Sequence, residues 1–144
     1  MASFDSGPDA VRTLLEDLDV WAVVGCSPDP SRDSHDVARF LQRHGKTVIP
    51  VNPAAAGTTI LGRHTYPDLA SIPKEAGVQV VDVFRRADQA GTHVDEAIAL
   101  GADVVWLQLG VIDVDAAQRA MDAGLLVVMD RCPKIELPRL LSRR

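Results

Sequence analysis

The sequence has few cysteines and no long apolar segment, and each shortage excludes a class of protein. Its two cysteines, Cys26 and Cys132, form neither a CxxC pair nor a cluster at metal-ligand spacing, so we predict no metal site. No apolar run approaches the roughly 20 residues that a membrane helix requires. The first twenty residues contain five acidic residues and no sustained apolar stretch, so we expect no secretory signal. These features favour a cytoplasmic protein with reduced thiols and no membrane partner.

The chain also lacks an excess of positive charge. Lysine and arginine number 15 against 20 aspartates and glutamates, which gives a formal net charge of −5. Binding to a nucleic-acid backbone needs a basic face, so we do not expect nucleic acid as the main partner. A small phosphorylated ligand needs only a few local cations and stays compatible with this balance. The length of 144 residues, with 47% hydrophobic and 24% charged residues, is typical of one globular domain over residues 1–144.

Short apolar runs alternate with segments of helical periodicity along the chain. The predicted strands are residues 20–25, 46–51, 78–84, 103–108 and 125–129. The predicted helices begin at residue 8 or 9, at 35, at 87 or 91, and at 113. Continuous apolar strands separated by helices indicate a parallel sheet that is covered on both faces. We therefore predict an α/β fold with a doubly wound, mainly parallel five-stranded sheet, whose ligand crevice lies at the carboxyl ends of the strands.

The first strand, its loop and the following helix form a candidate phosphate site. The strand ends at Gly25, which lets a ligand approach the backbone closely. Ser27 and Ser34 can offer hydroxyl groups, and the guanidinium of Arg32 matches phosphate oxygens. Ser34 is also the predicted N-cap of the helix, whose N-terminus carries a partial positive charge. The alternative is a structural βα turn that binds nothing.

A dinucleotide site of the NAD type requires two features that the sequence lacks. Such sites place G-x-G-x-x-G after the first strand and an acidic residue at the end of the second strand. Here the loop has one glycine, Gly25, and the second strand ends at Asn52 and Pro53, a wall that still suits an adenine ring. The third strand is followed by Arg85 and Arg86, and strand alternation predicts that Arg85 faces the crevice.

Five further side chains are ambiguous in the sequence. The alternatives for His35 are a phosphate contact and a solvated surface position. Cys132 is interpreted as structural packing rather than as a neighbour of a ligand arm. Asp82 interrupts an apolar strand, where a buried carboxylate needs a partner that the sequence does not identify. Lys134 and Glu136 are close enough in sequence to form an ion pair within a turn.

An ordered set of short motifs carries a resemblance to a known family. The motifs are Val24-Gly25-Cys26-Ser27, Pro30-Ser31-Arg32-Asp33-Ser34, Val48-Ile49-Pro50-Val51-Asn52-Pro53, Gly62, Tyr66-Pro67-Asp68-Leu69, Ile72-Pro73, Val83-Phe84-Arg85 and Asp130-Arg131-Cys132-Pro133-Lys134-Ile135-Glu136. Together they resemble the small bacterial CoA-binding proteins, which are similar to the N-terminal CoA-binding domain of the succinyl-CoA synthetase α subunit. The resemblance extends from about Leu14 to about Leu140.

The resemblance implies a Rossmann-like fold that holds coenzyme A across the strand ends. By position, the loop from Gly25 to Ser34 would hold the CoA phosphates and Asn52-Pro53 would flank the adenosine. Val83-Phe84-Arg85 would line the nucleotide and the start of the pantetheine arm. Cys26 stands where the family more usually has alanine or glycine. The expected cofactor-binding residues are Gly25, Cys26, Ser27, Arg32, Ser34, Asn52, Pro53, Val83, Phe84 and Arg85.

Three functions remain open at this point. We favour non-catalytic binding of coenzyme A or an acyl-CoA, because no nucleophile–base pair is recognisable, and we assign no catalytic residue. The second function is a nucleotide-binding subunit of a CoA ligase that acts with separate partner chains, which would supply the phosphohistidine and ATP-grasp domains of such ligases. The third, an NAD(H)-binding sensor, is disfavoured by the missing acidic residue after the second strand. A homodimer is the expected assembly, on base rates alone.

Overall fold

Helices and strands alternate through the computed structural model, which describes the backbone of residues 8–136 and the side chains of residues 11–136. The helices are α1 (Pro8–Asp17), α2 (Asp33–Arg43), α3 (Ala87–Leu100) and α4 (Val114–Asp122). The strands are β1 (Val20–Val24), β2 (Thr47–Val51), β3 (Thr59–Ile60), β4 (Arg63–His64), β5 (Val80–Val83), β6 (Val104–Leu107) and β7 (Leu126–Met129). None of the described helices has both the length and the apolar character needed to cross a bilayer.

The main sheet has five parallel strands in the order β2-β1-β5-β6-β7. This order confirms the predicted doubly wound α/β fold, and the predicted strands overlap the observed ones with ends that differ by one or two residues. The chain steps from β1 outward to β2 and then returns to the other side of β1 with β5. The switch point of the sheet therefore lies between β1 and β5, where folds of this order bind their ligands.

Both faces of the sheet are covered by a hydrophobic layer. Helices α1 and α2 pack on one face through residues such as Leu15 and Leu41, where Trp21 and Trp106 lie with ring centroids 5.6 Å apart. Helices α3 and α4 pack on the other face through small residues, among them Ala97 and Ala120. Burial on both faces explains why the strands are continuous apolar runs rather than alternating ones.

The start of helix α2 differs from the prediction that Ser34 is its N-cap. Helix α2 begins at Asp33 with Arg32 at the cap position, where no side chain bonds the helix N-terminus. The Ser34 hydroxyl instead accepts a hydrogen bond from the Ser27 N–H at 2.9 Å. The helix ends with His44 at the C-cap and Gly45 at φ +82°, a conformation that glycine commonly adopts after a helix.

The residues beyond 136 lie outside the described part of the chain. The sequence predicts a final turn at residues 138–141, which therefore stays a prediction.

One carboxyl group lies inside the apolar layer between the sheet and α2. Asp82 in β5 is fully buried, with Val23 and Trp106 as its neighbours in the adjacent strands. Neither of its oxygens has a hydrogen-bond partner among the described residues. Burial raises the pKa of Asp82 well above its usual value of 3.8, because water solvates a carboxylate far better than an apolar core does. In the absence of a partner among the described residues, burial favours the protonated form of Asp82.

Asp82 makes the stability of the fold depend on pH. Its folded pKa lies above its unfolded pKa, so the native state binds more protons than the unfolded state between pH 3.8 and the folded pKa. The stabilisation is complete below this window and is lost as pH rises through it, by about 1.4 kcal/mol per pH unit.

We expect Asp82→Asn, which cannot ionise, to be more stable than the native protein at pH 8, with a difference that shrinks toward pH 4. Urea unfolding at several pH values measures this, with the exposed Asp103→Asn as control. A difference that does not vary with pH would contradict a protonated Asp82.

Candidate functional site

The five strands of the main sheet end in register along one edge. Val51, Val24, Val83, Leu107 and Met129 are the last residues of their strands and pair in that order across the sheet. The residues that follow them therefore form a row in the same order, namely Asn52, Gly25, Phe84, Gln108 and Asp130. Gly25 and Phe84 flank the switch point, so this part of the row is where a ligand is expected.

Gly25 and Phe84 approach each other more closely than any side chain at position 25 would allow. The Gly25 N–H donates to the Val51 carbonyl at 2.8 Å, and the Phe84 N–H donates to the Val24 carbonyl at 2.9 Å. Gly25 adopts φ +84°, and a Cβ atom there would lie 2.6 Å from the Phe84 carbonyl oxygen. Position 25 therefore requires glycine for two independent reasons, its backbone conformation and the space beside it.

Three side chains hold the loop between β1 and α2 in place. Asn52 donates from Nδ2 to the Cys26 carbonyl at 3.0 Å. His35 is buried, and its Nδ1 lies 2.9 Å from the Ser27 carbonyl, which can only accept, so Nδ1 carries the proton. Ser34 accepts from the Ser27 N–H, as described above. The interpretation of His35 as a solvated surface residue was therefore wrong.

The N-terminus of α2 is left open by this arrangement. Its first helical hydrogen bond runs from the Asp36 N–H to the Arg32 carbonyl, so the N–H groups of Asp33, Ser34 and His35 precede it. These groups and the helix dipole suit an anion. Asp33 and Ser34 border a cavity of about 240 Å³, here called the small cavity. Its lining residues are Gly25, Ser27, Arg32, Asp33, Ser34 and Phe84.

A second cavity, of about 440 Å³ and here called the large cavity, adjoins the small one. The two are adjacent because Asp33 and Phe84 line both of them. The other lining residues of the large cavity are Asp36, Val37, Gln108, Leu109, Val111, Cys132, Lys134 and Ile135. Apolar side chains form much of this wall. The cleft as a whole thus joins an anion-suited end to a longer, largely apolar end.

The chain segment after β7 closes one side of the large cavity. Lys134 donates to the carboxylate of Asp36, which also accepts from Arg39 at 3.0 Å. The Lys134 hydrogen bond, with Arg39 assisting, holds the pKa of Asp36 below its usual value. Glu136 pairs with Arg131 at 3.4 Å. The predicted ion pair between Lys134 and Glu136 was therefore wrong, because each side chain meets a partner that sequence proximity does not indicate.

Both cysteines are buried thiols. Burial, with a smaller electrostatic contribution from Asp82, raises the pKa of Cys26 to about 12. Burial also raises the pKa of Cys132, although a hydrogen bond from the Gln108 side chain opposes this. The thiolate is the nucleophilic form of cysteine, so burial lowers the reactivity of both side chains. Cys132 lines the large cavity, whereas Cys26 lies in the apolar layer beneath the loop.

The structure brings half of the predicted site residues to the cleft. Gly25, Ser27, Arg32, Ser34 and Phe84 all line the small cavity. The remaining predicted residues do not line either of the two cavities: Cys26, Asn52, Pro53, Val83 and Arg85. Val83 packs in the layer toward α3, and Arg85 is half-buried, with an Nε atom that has no hydrogen-bond partner among the described residues.

Several residues of the large cavity were missing from the predicted set. Gln108 and Leu109 directly follow β6, and the rule that ligands bind at strand ends identifies such positions. Asp33 and Asp36 lie in the first turn of α2, where acidic residues are common for reasons of helix stability alone. Lys134 lies 98 residues away from its partner Asp36, so no local pattern indicates their contact.

Comparison with known proteins identifies the family. A family model described as a CoA binding domain matches residues 19–138. The chain belongs to the CoA-binding domain family. Among curated proteins, the uncharacterized protein YneT of Bacillus subtilis (strain 168) is 34% identical over 125 residues, which cover 87% of this chain and 90% of YneT. The resemblance seen in the motifs is thereby confirmed.

Solved structures agree with the fold. The crystal structure of Prb, a protein redesigned for binding, matches with a TM-score of 0.89 and 38% identity, over 98% of this chain and 96% of Prb. RSP, a Rex-family repressor solved in complex with β-NADH, matches with a TM-score of 0.56 over 94% of this chain and 64% of RSP. Its identity is 14%, so the likeness to RSP concerns the fold alone.

The close contact at position 25 predicts a large loss of stability on substitution. We expect Gly25→Ala to lower the free energy of unfolding by about 1–3 kcal/mol more than Gly45→Ala does. Both glycines have nearly the same positive φ, but a Cβ atom at Gly45 meets nothing within 4 Å. The difference between the two variants therefore isolates the clash with the Phe84 carbonyl. Urea unfolding measures both values, and equal losses would show that the strand ends separate easily.

Proposed function

We propose that this chain binds coenzyme A or an acyl-CoA without catalysing a reaction. The observation that carries the proposal is the adjacency of the two cavities across Phe84, at the switch point of the sheet. Coenzyme A has two parts that match the two cavities. One part is a highly charged nucleotide diphosphate, and the other is a long, weakly polar pantetheine arm. Membership of the CoA-binding domain family supports this choice of ligand.

In this proposal the small cavity takes the diphosphate. The open N–H groups at the start of α2 donate to phosphate oxygens, and Arg32 adds a guanidinium at the same place. Asn52, Pro53 and Arg85 line neither cavity, so in this proposal they contact the part of the nucleotide that extends beyond the small cavity. Asn52 and Pro53 flank the adenosine from the end of β2, and Arg85 reaches a phosphate from the end of β5. Phe84, between the cavities, guides the pantetheine arm into the large one. Residues 1–144 act as one CoA-binding domain, which the shared core of the described elements supports.

Thermal unfolding with a panel of ligands tests the identity of the ligand. Coenzyme A, dephospho-CoA, NAD and ATP are added at equal concentrations, and a ligand at about one hundred times its Kd stabilises the protein by about 2.7 kcal/mol. We expect a shift with coenzyme A that shrinks with dephospho-CoA, because the latter lacks the 3′-phosphate. A shift with NAD alone would contradict the proposal and favour a dinucleotide sensor. No shift with any of the four would also contradict it.

Substitution of the arginines tests the phosphate contacts. We expect Arg32→Ala to weaken coenzyme A binding by about 1.5 kcal/mol, the lower end for a charge-assisted hydrogen bond, because Arg32 is exposed and screened by solvent. The same direction is expected for Arg85→Ala. Arg43→Ala is the matched control, since Arg43 lies in the last turn of the same helix. Isothermal titration calorimetry gives the affinities. Native affinity in both Arg32→Ala and Arg85→Ala would remove these arginines from the site.

A further inference from the structure

Gln108 has an unusual polar atom beside the large cavity. The residue lines the cavity, yet it is only 6% exposed. Its Oε1 atom is buried and has no hydrogen-bond partner among the described residues. Buried carbonyl oxygens are nearly always bonded, because losing water without gaining another donor is unfavourable. A ligand in the adjacent cavity can supply the donor that this oxygen lacks.

The described residues around Gln108 do not provide that donor. Among them, Lys134 is the cation of the cavity wall, and it donates to Asp36. The neighbouring wall residues Leu109 and Val111 are apolar. The Gln108 side chain also bonds the Cys132 thiol, whose pKa it lowers against the effect of burial. Since Oε1 can only accept, this contact with Cys132 engages the amide N–H and leaves Oε1 unpaired.

We propose that Gln108 is a specificity-determining residue, whose Oε1 accepts a hydrogen bond from an amide N–H of a ligand arm seated in the large cavity. The inference rests on the proposed function, since the pantetheine arm of coenzyme A carries two amide groups. It goes further by stating which chemical group is recognised. A site built around a hydrogen bond strongly rejects ligands that lack the partner group. Nucleotides without an amide-bearing arm therefore gain nothing from this cavity.

Gln108→Met is the variant that tests this role. Methionine has similar length and volume, so it fills the same space without an amide oxygen. Calorimetric titration with coenzyme A and with 3′-phospho-ADP, which has the complete nucleotide and diphosphate of coenzyme A without the arm, separates the two ends of the ligand. We expect Gln108→Met to weaken coenzyme A binding about tenfold and to leave 3′-phospho-ADP binding unchanged. Gln118→Met, at an exposed position of α4, is the control and should match the native protein.

The outcomes separate this inference from the proposed function. If the native protein binds coenzyme A and Gln108→Met binds it equally well, or loses both ligands equally, the role of Gln108 is wrong and the proposed function stands. If the native protein binds neither ligand, both fail. A measurement on the native protein covers the case of a variant that does not fold: coenzyme A should bind at least about tenfold more tightly than 3′-phospho-ADP. Equal affinities would overturn the inference without any variant.

Discussion

The close approach of Gly25 to Phe84 is the constraint on which the cleft depends. Two hydrogen bonds, Gly25 to Val51 and Phe84 to Val24, continue the ladder beyond the last strand residues and draw three strand ends together. Because glycine has no Cβ atom, the Phe84 carbonyl oxygen lies only 2.6 Å from the position that a Cβ atom would take. This contact sets where the loop leaves the sheet and places Phe84 between the two cavities. The positions of both cavities therefore depend on the absence of a side chain at position 25.

Polar side chains of the loop are engaged with the protein itself, and this engagement leaves the backbone of α2 available. Ser34 is the residue that capping rules select, but its hydroxyl accepts from the Ser27 N–H on the opposite side of the loop. An N-cap side chain satisfies the N–H groups that an anion would otherwise bind, so a capped helix and an anion site compete. The error in the predicted cap thus has a physical cause. Capping rules identify a suitable acceptor but not which of two nearby donors it meets.

The sheet could be predicted because its signals are local. Each apolar run ends at a polar residue or at Gly25, and alternation with helices fixes the parallel topology. The strand-end rule then located Phe84 and the first loop. The strand-end rule does not predict the contact of Lys134 with Asp36, because these residues are far apart in the sequence. Nor could it show that Gln108 has an unpaired oxygen, since that property depends on every neighbour in the folded cavity.

Charge alone does not explain how such a cleft would hold an anion. The whole chain carries a formal charge of −5, and Asp33 lines both cavities. Among the described residues, Arg32 and Lys134 are the cations of the cavity walls, and Lys134 is engaged by Asp36. In the proposed complex, attraction therefore comes mainly from oriented N–H groups at the start of α2, which act at contact distance and carry no net charge. Such donors select a ligand by shape and by the position of its oxygens. In the proposed complex the apolar walls and the Gln108 oxygen extend the same principle along the cleft, so we expect discrimination between ligands to rest on geometry more than on net charge.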